Sequence, residues 1–346
     1  MGIDAHKRTH TAVAIDEAGR KLGEKTTRMT TTEANLELLR WADGFGPDRR
    51  FGVEDCRHLS RRLEVDLLAA GEQIVRVPPK LMAHARDAAR TYGKSDPIDA
   101  LAVARAVLRE PNLPLAHLDA RTRDLRLLVD HREDLVRDRV GLIDRLRWHL
   151  HELDPSWDPD PRVLVRFKHL DRIAARLEGL TSTLAWVATD LVGRIRELTV
   201  AANELERRIV AATSGLAPTL LSVPGVGALT AAKIVAEVAD VRRFRSKDRF
   251  ARHNGTAPLP VWSGNRVRHR LSRTGNRQLN TAIHRIAITQ MRIHEPAKTY
   301  LERRMVNGNT KTEALRALKR KLSDVVYRAL LVDADTTETA ALEQAA

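Results

Sequence analysis

Short apolar runs and amphipathic stretches alternate over the first 80 residues of the chain. β-Branched residues occupy every second position within residues 9–15, and this run ends at Asp16-Glu-Ala-Gly19, a turn signal. The pattern predicts strands over residues 9–15, 21–29, 50–54 and 73–77, and helices over residues 32–42 and 59–70. With residues 1–4 as the end of a first strand, this order predicts an α/β RNase H-like mixed sheet. We expect the native start to lie a few residues upstream.

Helical spacing dominates after residue 120. Leucines recur at three-, four- and seven-residue steps from Leu125 to Leu150, and Asp154-Pro155 ends the run. A second tract, from Leu191 to Ile209, has heptad-like spacing. The dense charges between the apolar positions predict a long helical coiled-coil arm that protrudes or pairs between subunits. An ordinary helix pair within one domain is the alternative.

Glycine and arginine become frequent after residue 220, which predicts a mostly α C-terminal domain. Pro224-Gly-Val-Gly227 precedes a predicted helix and is typical of a helix-hairpin-helix-like turn, in which Gly225 and Gly227 would approach a phosphate. Such a turn can also be a simple helix connector. A closing helix is predicted to end near Leu331, before an acidic, Ala-rich tail expected to be disordered. The predicted domains are residues 1–115, the arm at 116–212, residues 213–335 and the tail at 336–346.

The charge of the chain indicates a polyanionic partner. The formal net charge is +14. Between Arg242 and Arg285, 12 basic residues stand against one acid, so this stretch carries a surplus of 11. Aromatic residues make up only 4% of the chain, which argues against a base-stacking platform. The single cysteine, Cys56, excludes an internal disulfide; with no signal peptide or long apolar segment, we expect a cytoplasmic protein without a membrane association.

Four acids are candidate metal ligands. Asp4 and Glu54 end predicted strands, whereas Asp96 and Asp99 flank Pro97 at a predicted helix start and share one face of its first turn. Three or four converging carboxylates can hold two Mg²⁺ ions, which stabilise the attacking and departing oxygens of a phosphodiester. The alternatives are helix capping by Asp96 at the N-cap and Asp99 at N3, and solvent-exposed strand ends for Asp4 and Glu54. We expect His6 and His10 to be surface residues.

The four acids and their surroundings form the segments Gly2-Ile-Asp-Ala-His-Lys7, Val53-Glu-Asp55, Ala70-Gly-Glu-Gln-Ile-Val-Arg-Val-Pro-Pro79 and Gly93-Lys-Ser-Asp-Pro-Ile-Asp-Ala100. Together these segments resemble the IS110 family of insertion-sequence transposases. The resemblance implies a RuvC-like domain in which Asp4, Glu54, Asp96 and Asp99 form an Asp-Glu-Asp-Asp metal-binding tetrad. Cys56-Arg57 stands where the family has a small residue and a glycine, which leaves the local loop shape open.

The later segments Phe250-Ala-Arg-His-Asn-Gly-Thr-Ala-Pro258, Ser263-Gly264 and Leu271-Ser-Arg-Thr-Gly-Asn-Arg-Gln-Leu279 resemble the second domain of the same family. The resemblance implies that Ser263 is a nucleophile that forms a covalent phosphoserine with DNA. The residues alone favour a turn serine beside a DNA-binding strand, and Ser272 is a competing nucleophile. The predicted nucleic-acid-binding residues are Gly225, Gly227, Gly264, Arg266, Arg268, Arg270, Arg273 and Asn276; the three alternating arginines of 266–270 would share one strand face.

The resemblance implies an enzyme that cuts and rejoins donor and target DNA with Mg²⁺. It also implies guidance by a structured noncoding (bridge) RNA, and a homodimer or homotetramer in which tetrad and serine meet across subunits. Two alternatives stay open. One is a structure-selective nuclease or resolvase that hydrolyses DNA without a covalent step, and the other is a non-catalytic nucleic-acid-binding protein.

Overall fold

The computed structural model describes residues 1–54, 57–78, 81–82, 95–110, 113, 115–116, 119–263, 266–270 and 275–345, without the side chains of 57–58, 263, 266–268, 270 and 337–345. The chain divides into two compact units, Met1–Leu118 and Asp119–Ala346.

The first unit is built on a five-stranded mixed sheet. Its strands are β1 (Gly2–Ala5), β2 (His10–Ile15), β3 (Lys21–Thr26), β4 (Phe51–Glu54) and β5 (Ile74–Val77). They lie in the order β3-β2-β1-β4-β5, with β1–β2 and β2–β3 antiparallel and β1–β4 and β4–β5 parallel. The predicted order of elements is therefore confirmed, and it forms an RNase H-like α/β sheet.

Helices cover both faces of this sheet. They are α1 (Thr32–Asp43), α2 (Arg57–Ala69) and α3 (Asp96–Arg109). Strand alternation directs Ile3, Phe51 and Val53 into one core with leucines of α1 and α2. Val75 and Val77 point the opposite way and pack with apolar residues of α3.

Two long helices dominate the start of the second unit. They are α4 (Ala120–Leu153) and α6 (Thr183–Leu216), with α5 (Phe167–Leu177) and a 3-10 turn at Pro161–Val163 between them. Arg132 bonds Glu206 and Arg139 bonds Thr199, so α4 and α6 run antiparallel. Their leucine and isoleucine positions share a core with α5. The helix pair therefore forms within one chain.

The rest of the second unit is a helical core with one β-hairpin. Its helices are α7 (Pro218–Leu221), α8 (Ala228–Val238), α9 (Lys247–His253), α10 (Arg277–Ile293), α11 (Glu295–Val306) and α12 (Lys311–Ala345), with a 3-10 turn at Val241–Arg243. The hairpin strands are β6 (Leu259–Ser263) and β7 (Arg266–Arg270), which pair antiparallel. The predicted mostly α character of this region is confirmed.

The last helix is longer than the sequence predicted. It continues to Ala345, whereas its end was expected near Leu331 and a disordered tail after it. Asp333 is buried, and its carboxylate accepts the amide hydrogens of Thr219 and Leu220 at the start of α7. The Ala-rich residues that follow have a high helix propensity. Within the described residues, no helix combines the length and apolar character that a membrane crossing needs.

Candidate functional site

Asp4 and Glu54 lie at the carboxyl ends of adjacent parallel strands. Ile3 of β1 pairs with Val53 of β4, so the next residue along each strand brings Asp4 beside Glu54 on the same sheet face. That face is the one covered by α3, because Gly2 and Gly52 lie two residues earlier and their α-carbons face this helix. The register of two short strands therefore juxtaposes acids that are 50 positions apart in the sequence.

Helix α3 brings Asp96 and Asp99 to the same edge of the sheet. A Cβ added at Gly2 would overlap the backbone of Ala100 and Ala104, which means that α3 touches β1 at backbone distance. At Gly52 the corresponding atom would overlap the side chain of Val107. The two glycines thus allow the first turn of α3 to approach the strand ends closely.

The cluster also includes His6, which follows β1. His6 Nε2 lies 3.0 Å from Asp4 Oδ2 and 3.4 Å from Asp96 Oδ1. Ligand atoms of Asp4, His6 and Asp96 all lie within 4.8 Å of one another, the spacing of a possible metal site. Glu54 and Asp99 are not in this group of three. The His6 contact to two acids orients the Asp4 carboxylate.

Burial of part of the cluster makes its negative charges costly to maintain without a cation. Asp4 is 3% exposed, and this burial raises the pKa of its carboxyl group; His6 lowers it, and the charges of Asp99 and Asp96 raise it further. Asp99 is also buried. Several carboxylates held together in this way favour a bound cation, and oxygen donors suit a hard divalent ion. The donor set therefore fits a divalent metal.

The two alternatives for these acids fit the structure poorly. The N-cap of α3 is Ser95, so Asp96 occupies the first helical position, and no side-chain cap hydrogen bond forms there. Asp4 is buried and not a solvent-exposed strand end. The role of the four acids as ligands stays a prediction, but N-capping does not account for Asp96 and solvent exposure does not account for Asp4.

The two histidines near the first strand differ in exposure. His6 is half-exposed, as expected, yet it contacts two of the predicted ligands, which the sequence reasoning missed; the Asp4-x-His6 spacing was the available signal. His10 was expected at the surface, and this is wrong. It is fully buried in β2 opposite Ala5, on the face away from Asp4, and burial lowers its pKa to about 4.

The predicted nucleophile lies on the β6–β7 hairpin of the second unit. Ser263 is the last residue of β6 and is opposite Arg266 in the backbone register. The predicted arginine strand is confirmed as β7. The side chains of Ser263, Arg266, Arg268 and Arg270 lie outside the described residues, as do Gly264, Ser272 and Arg273.

The two ends of this hairpin meet at its base. A Cβ at Gly275 would overlap the backbone of Gly255, so the entering and leaving chains touch there. Asn276 donates its backbone N–H to His253 O at 2.6 Å. Its side chain caps α10 by accepting from Leu279 N and donates to Glu237 Oε2 at 2.7 Å. These bonds occupy the amide of Asn276, so its predicted DNA contact competes with a capping role.

The turn at 224–227 has two different glycines. Gly225 has a φ of +83° and packs against Ile286 and Gln290 of α10, and Gln290 donates to Pro224 O at 2.6 Å. Gly227 is the N-cap of α8, and a Cβ there would meet no atom within 4 Å. Both assignments to nucleic acid stay predictions. The open approach at Gly227 suits a phosphate better than the packed Gly225.

Comparisons with known proteins define the class. A family model described as a transposase, of the IS110 DEDD type, matches residues 1–155, which include the whole acidic cluster. A second, described as "Transposase IS116/IS110/IS902 family", matches residues 217–302, which include the hairpin. The chain is therefore a transposase, an enzyme that breaks and rejoins DNA.

It belongs to the IS110 family of transposases. The chain is 29% identical to the IS116 uncharacterized 44.8 kDa protein of Streptomyces clavuligerus, over 95% of this chain and 94% of that one. It is 27% identical to the IS900 uncharacterized 42 kDa protein of Mycobacterium paratuberculosis, over 95% and 94%. It is 30% identical to the transposase for insertion sequence element IS1111A of Coxiella burnetii, over 55% and 53%. The family match also implies a divalent-metal requirement.

Proposed function

We propose that this transposase cuts and rejoins donor and target DNA with Mg²⁺ held by Asp4, Glu54, Asp96 and Asp99, and with Ser263 as the nucleophile. The observation that carries the metal half is the convergence of Asp4, His6 and Asp96, with atoms within 4.8 Å of one another, where β1, β4 and α3 meet. The position of Ser263 at the end of a strand opposite Arg266 supports the other half.

The residues of the acidic cluster have distinct tasks in this proposal. Asp4 and Asp96 supply oxygen ligands, Glu54 and Asp99 complete the carboxylate set, and His6 orients Asp4 through its 3.0 Å hydrogen bond. Bound Mg²⁺ supplies charge stabilisation to the oxygens of a phosphodiester in displacement. The buried position of Asp4 excludes water from one side of the site.

The covalent step exchanges one phosphate ester for another. Ser263 Oγ bonds to phosphorus, the bond from phosphorus to one deoxyribose oxygen breaks, and the serine proton ends on the departing oxygen. A deoxyribose hydroxyl of a second strand then reverses the step and frees the serine. The arginines of β7 stabilise the charge on the phosphate oxygens. No bond energy is lost to hydrolysis, so rejoining needs no external energy source.

The family resemblance extends the proposal to a structured noncoding RNA as guide and to a homodimer or homotetramer. The net charge of +14 supports a second polyanion besides DNA. An RNA transcribed from the flanks of the gene should be required for cutting matched DNA. Cutting of the same DNA by protein freed of RNA with ribonuclease would contradict guidance.

The test is to trap DNA on the protein. Full-length protein, flanking RNA and labelled DNA are incubated with Mg²⁺ and separated under denaturing conditions. Wild type and Ser272→Ala should form a protein–DNA adduct, and Ser263→Ala should form none. Strand cutting without an adduct would favour the resolvase alternative, and an adduct with Ser263→Ala would refute the assigned serine.

The metal half needs its own readout. Asp96→Asn keeps the size of the side chain but removes a charge, so binding of Mn²⁺, used as a paramagnetic probe, should weaken. Asp248→Asn, an exposed acid of the other unit, is the matched control. Equal Mn²⁺ affinity in Asp96→Asn and wild type would refute the metal site.

A further inference from the structure

A closed ring of hydrogen bonds supports the base of the serine hairpin. Lys319 Nζ of α12 donates to Asn280 Oδ1 of α10 at 2.6 Å, and Asn280 Nδ2 donates to Asn254 O at 2.8 Å. Asn254 Nδ2 in turn donates to Ser323 Oγ at 2.8 Å. Lys319 and Ser323 are one turn apart on α12, so the ring closes on the helix where it began.

Lys319 is a buried cation that has no carboxylate partner among the described residues. The residue is 8% exposed, and no Asp or Glu oxygen of the described part of the chain lies within 4.0 Å of its ammonium group. The neighbouring hairpin cannot provide one, because residues 249–294 contain no Asp or Glu at all. Burial of an unpaired charge is costly, and it lowers the pKa of Lys319, with a further contribution from Arg316.

Another buried lysine of the same unit shows the usual arrangement. Lys233 is 5% exposed and lies 2.9 Å from a Glu133 oxygen and 3.3 Å from an Asp130 oxygen. Carboxylates of the same chain therefore neutralise the buried charge of Lys233. The contrast with Lys319 indicates that its counter-charge comes from a ligand.

Two more basic side chains, those of Arg316 and His284, lie near Lys319. Arg316 is exposed one turn earlier on α12, and His284 follows Asn280 by one turn on α10. His284 is close enough that the charge of Lys319 adds to desolvation in lowering its pKa. An ammonium has three donors, and Asn280 accepts one of them. Besides its bond to Asn280, Lys319 thus has two further ammonium hydrogens, and with the nearby guanidinium and imidazole these form a donor set that suits an anion.

We propose that Lys319, Arg316 and His284 bind a backbone phosphate of the DNA strand that the serine hairpin engages. The proposal rests on the proposed function of the hairpin. A phosphodiester supplies one negative charge and accepts several hydrogen bonds, which matches this donor set. Because Asn280 contacts both Lys319 and the hairpin base, a phosphate here sets the position of the DNA relative to the hairpin.

The test compares two lysines of α12. Lys319→Gln and Lys321→Gln each remove one charge, but Lys321 is exposed and lies over the Tyr300 ring, on another side of the helix. Binding of a fluorescein-labelled DNA duplex to the full-length chain is measured over a series of salt concentrations. Lys319→Gln should weaken binding roughly tenfold and lower the slope of log K against log salt by about 0.9, the value for one phosphate contact. Lys321→Gln should change the slope less.

Stability separates a ligand site from a structural lysine. Without DNA, Lys319→Gln should melt at the wild-type temperature or above it, because glutamine still donates to Asn280 and removes a buried charge. A lower melting temperature with an unchanged salt slope overturns the proposal, as does a slope change no larger than that of Lys321→Gln. A slope change with RNA of the same sequence but not with DNA overturns the assignment to DNA.

Two further measurements test the phosphate site if Lys319→Gln does not fold and separate it from the proposed role of Ser263. If Lys319→Gln does not fold, Arg316→Gln, a change at an exposed residue, should show the same loss of slope, and an unchanged slope there overturns the proposal. The binding series is repeated with Ser263→Ala protein. The salt slope measures DNA binding, whereas the protein–DNA adduct measures the chemical step. If no adduct depends on Ser263, the phosphate site can still be supported by the salt slope. If the salt slope shows no phosphate contact at Lys319, the serine can still be supported by the adduct.

Discussion

The contact between Gly2 and α3 predicts a large effect of one added methyl group. In Gly2→Ala the new Cβ would lie 2.8 Å from Ala104 Cα, besides overlapping the Ala100 carbonyl oxygen. Non-bonded carbons stay about 3.5–4.0 Å apart, so α3 has to move by about 1 Å. Overpacking of this kind costs about 1–3 kcal/mol of unfolding free energy. A displacement of about 1 Å at Asp96 and Asp99 should slow DNA cutting by about 100-fold.

The assay pairs thermal unfolding with single-turnover cutting of DNA. Gly52→Ala should be milder, because its Cβ would meet methyl groups of Val107 and Val103 and not the backbone of the helix, although these valines have little rotamer freedom. Gly44→Ala is the matched control, since its φ is −64° and its nearest neighbour, Trp41 O, lies at 3.4 Å. Wild-type cutting and stability in Gly2→Ala would refute the view that this glycine sets the position of the acids.

Three further predictions follow from buried or shared polar groups. Burial lowers the pKa of His10 from 6.5 to about 4, so the neutral histidine contributes stability that is fully present above pH 6.5 and is lost as the pH falls towards 4, by about 3 kcal/mol in total. In wild type the urea midpoint should therefore fall between pH 6.5 and 4.5, and His10→Leu should make this fall less steep. An equally steep fall in the variant would contradict this. His6→Ala removes the hydrogen bond that orients Asp4 and should weaken Mn²⁺ binding by about 10–100-fold, measured by titration calorimetry; unchanged binding would show that His6 is a bystander. Asp333→Ala leaves the amides of Thr219 and Leu220 without their acceptor, so the unfolding free energy measured in urea should fall by about 1–2 kcal/mol. Asp335→Ala is the control: Asp335 pairs with the exposed Arg242, so the unfolding free energy should change by less than about 1 kcal/mol.

Sequence periodicity predicted the elements well where local propensity and burial agree. The five strands and two of the helices of the first unit begin and end within a few residues of the predicted limits, because alternating β-branched residues and leucine spacing encode one buried face each. The four acids were singled out from sequence, since carboxylates at strand ends and beside Pro97 stand out from their surroundings, and their role as ligands stays a prediction. Register and packing then bring three of the elements to one edge.

The periodicity of the sequence could not predict contacts between residues that are distant along the chain. The place of His6 depends on α3 lying against Gly2, and the burial of His10 depends on which face of β2 is covered. Asp333 reads as part of an acidic tail, yet it caps a helix more than a hundred residues away. Lys319 is one of many basic residues in the sequence, and only the fold shows that it is buried. Each of these depends on tertiary neighbours and not on local pattern.

The antiparallel pairing of α4 and α6 constrains how this protein can change in length. Arg132 with Glu206 and Arg139 with Thr199 have the same sum of residue numbers, so each step along one helix is matched by a step back along the other. A single inserted residue in α4 would rotate every later leucine away from its partner. An insertion of about seven residues in both helices would keep the facing positions in phase. Natural variants with a longer or shorter helix pair should therefore differ by matched two-turn blocks, and isolated insertions should collect in the connection around α5.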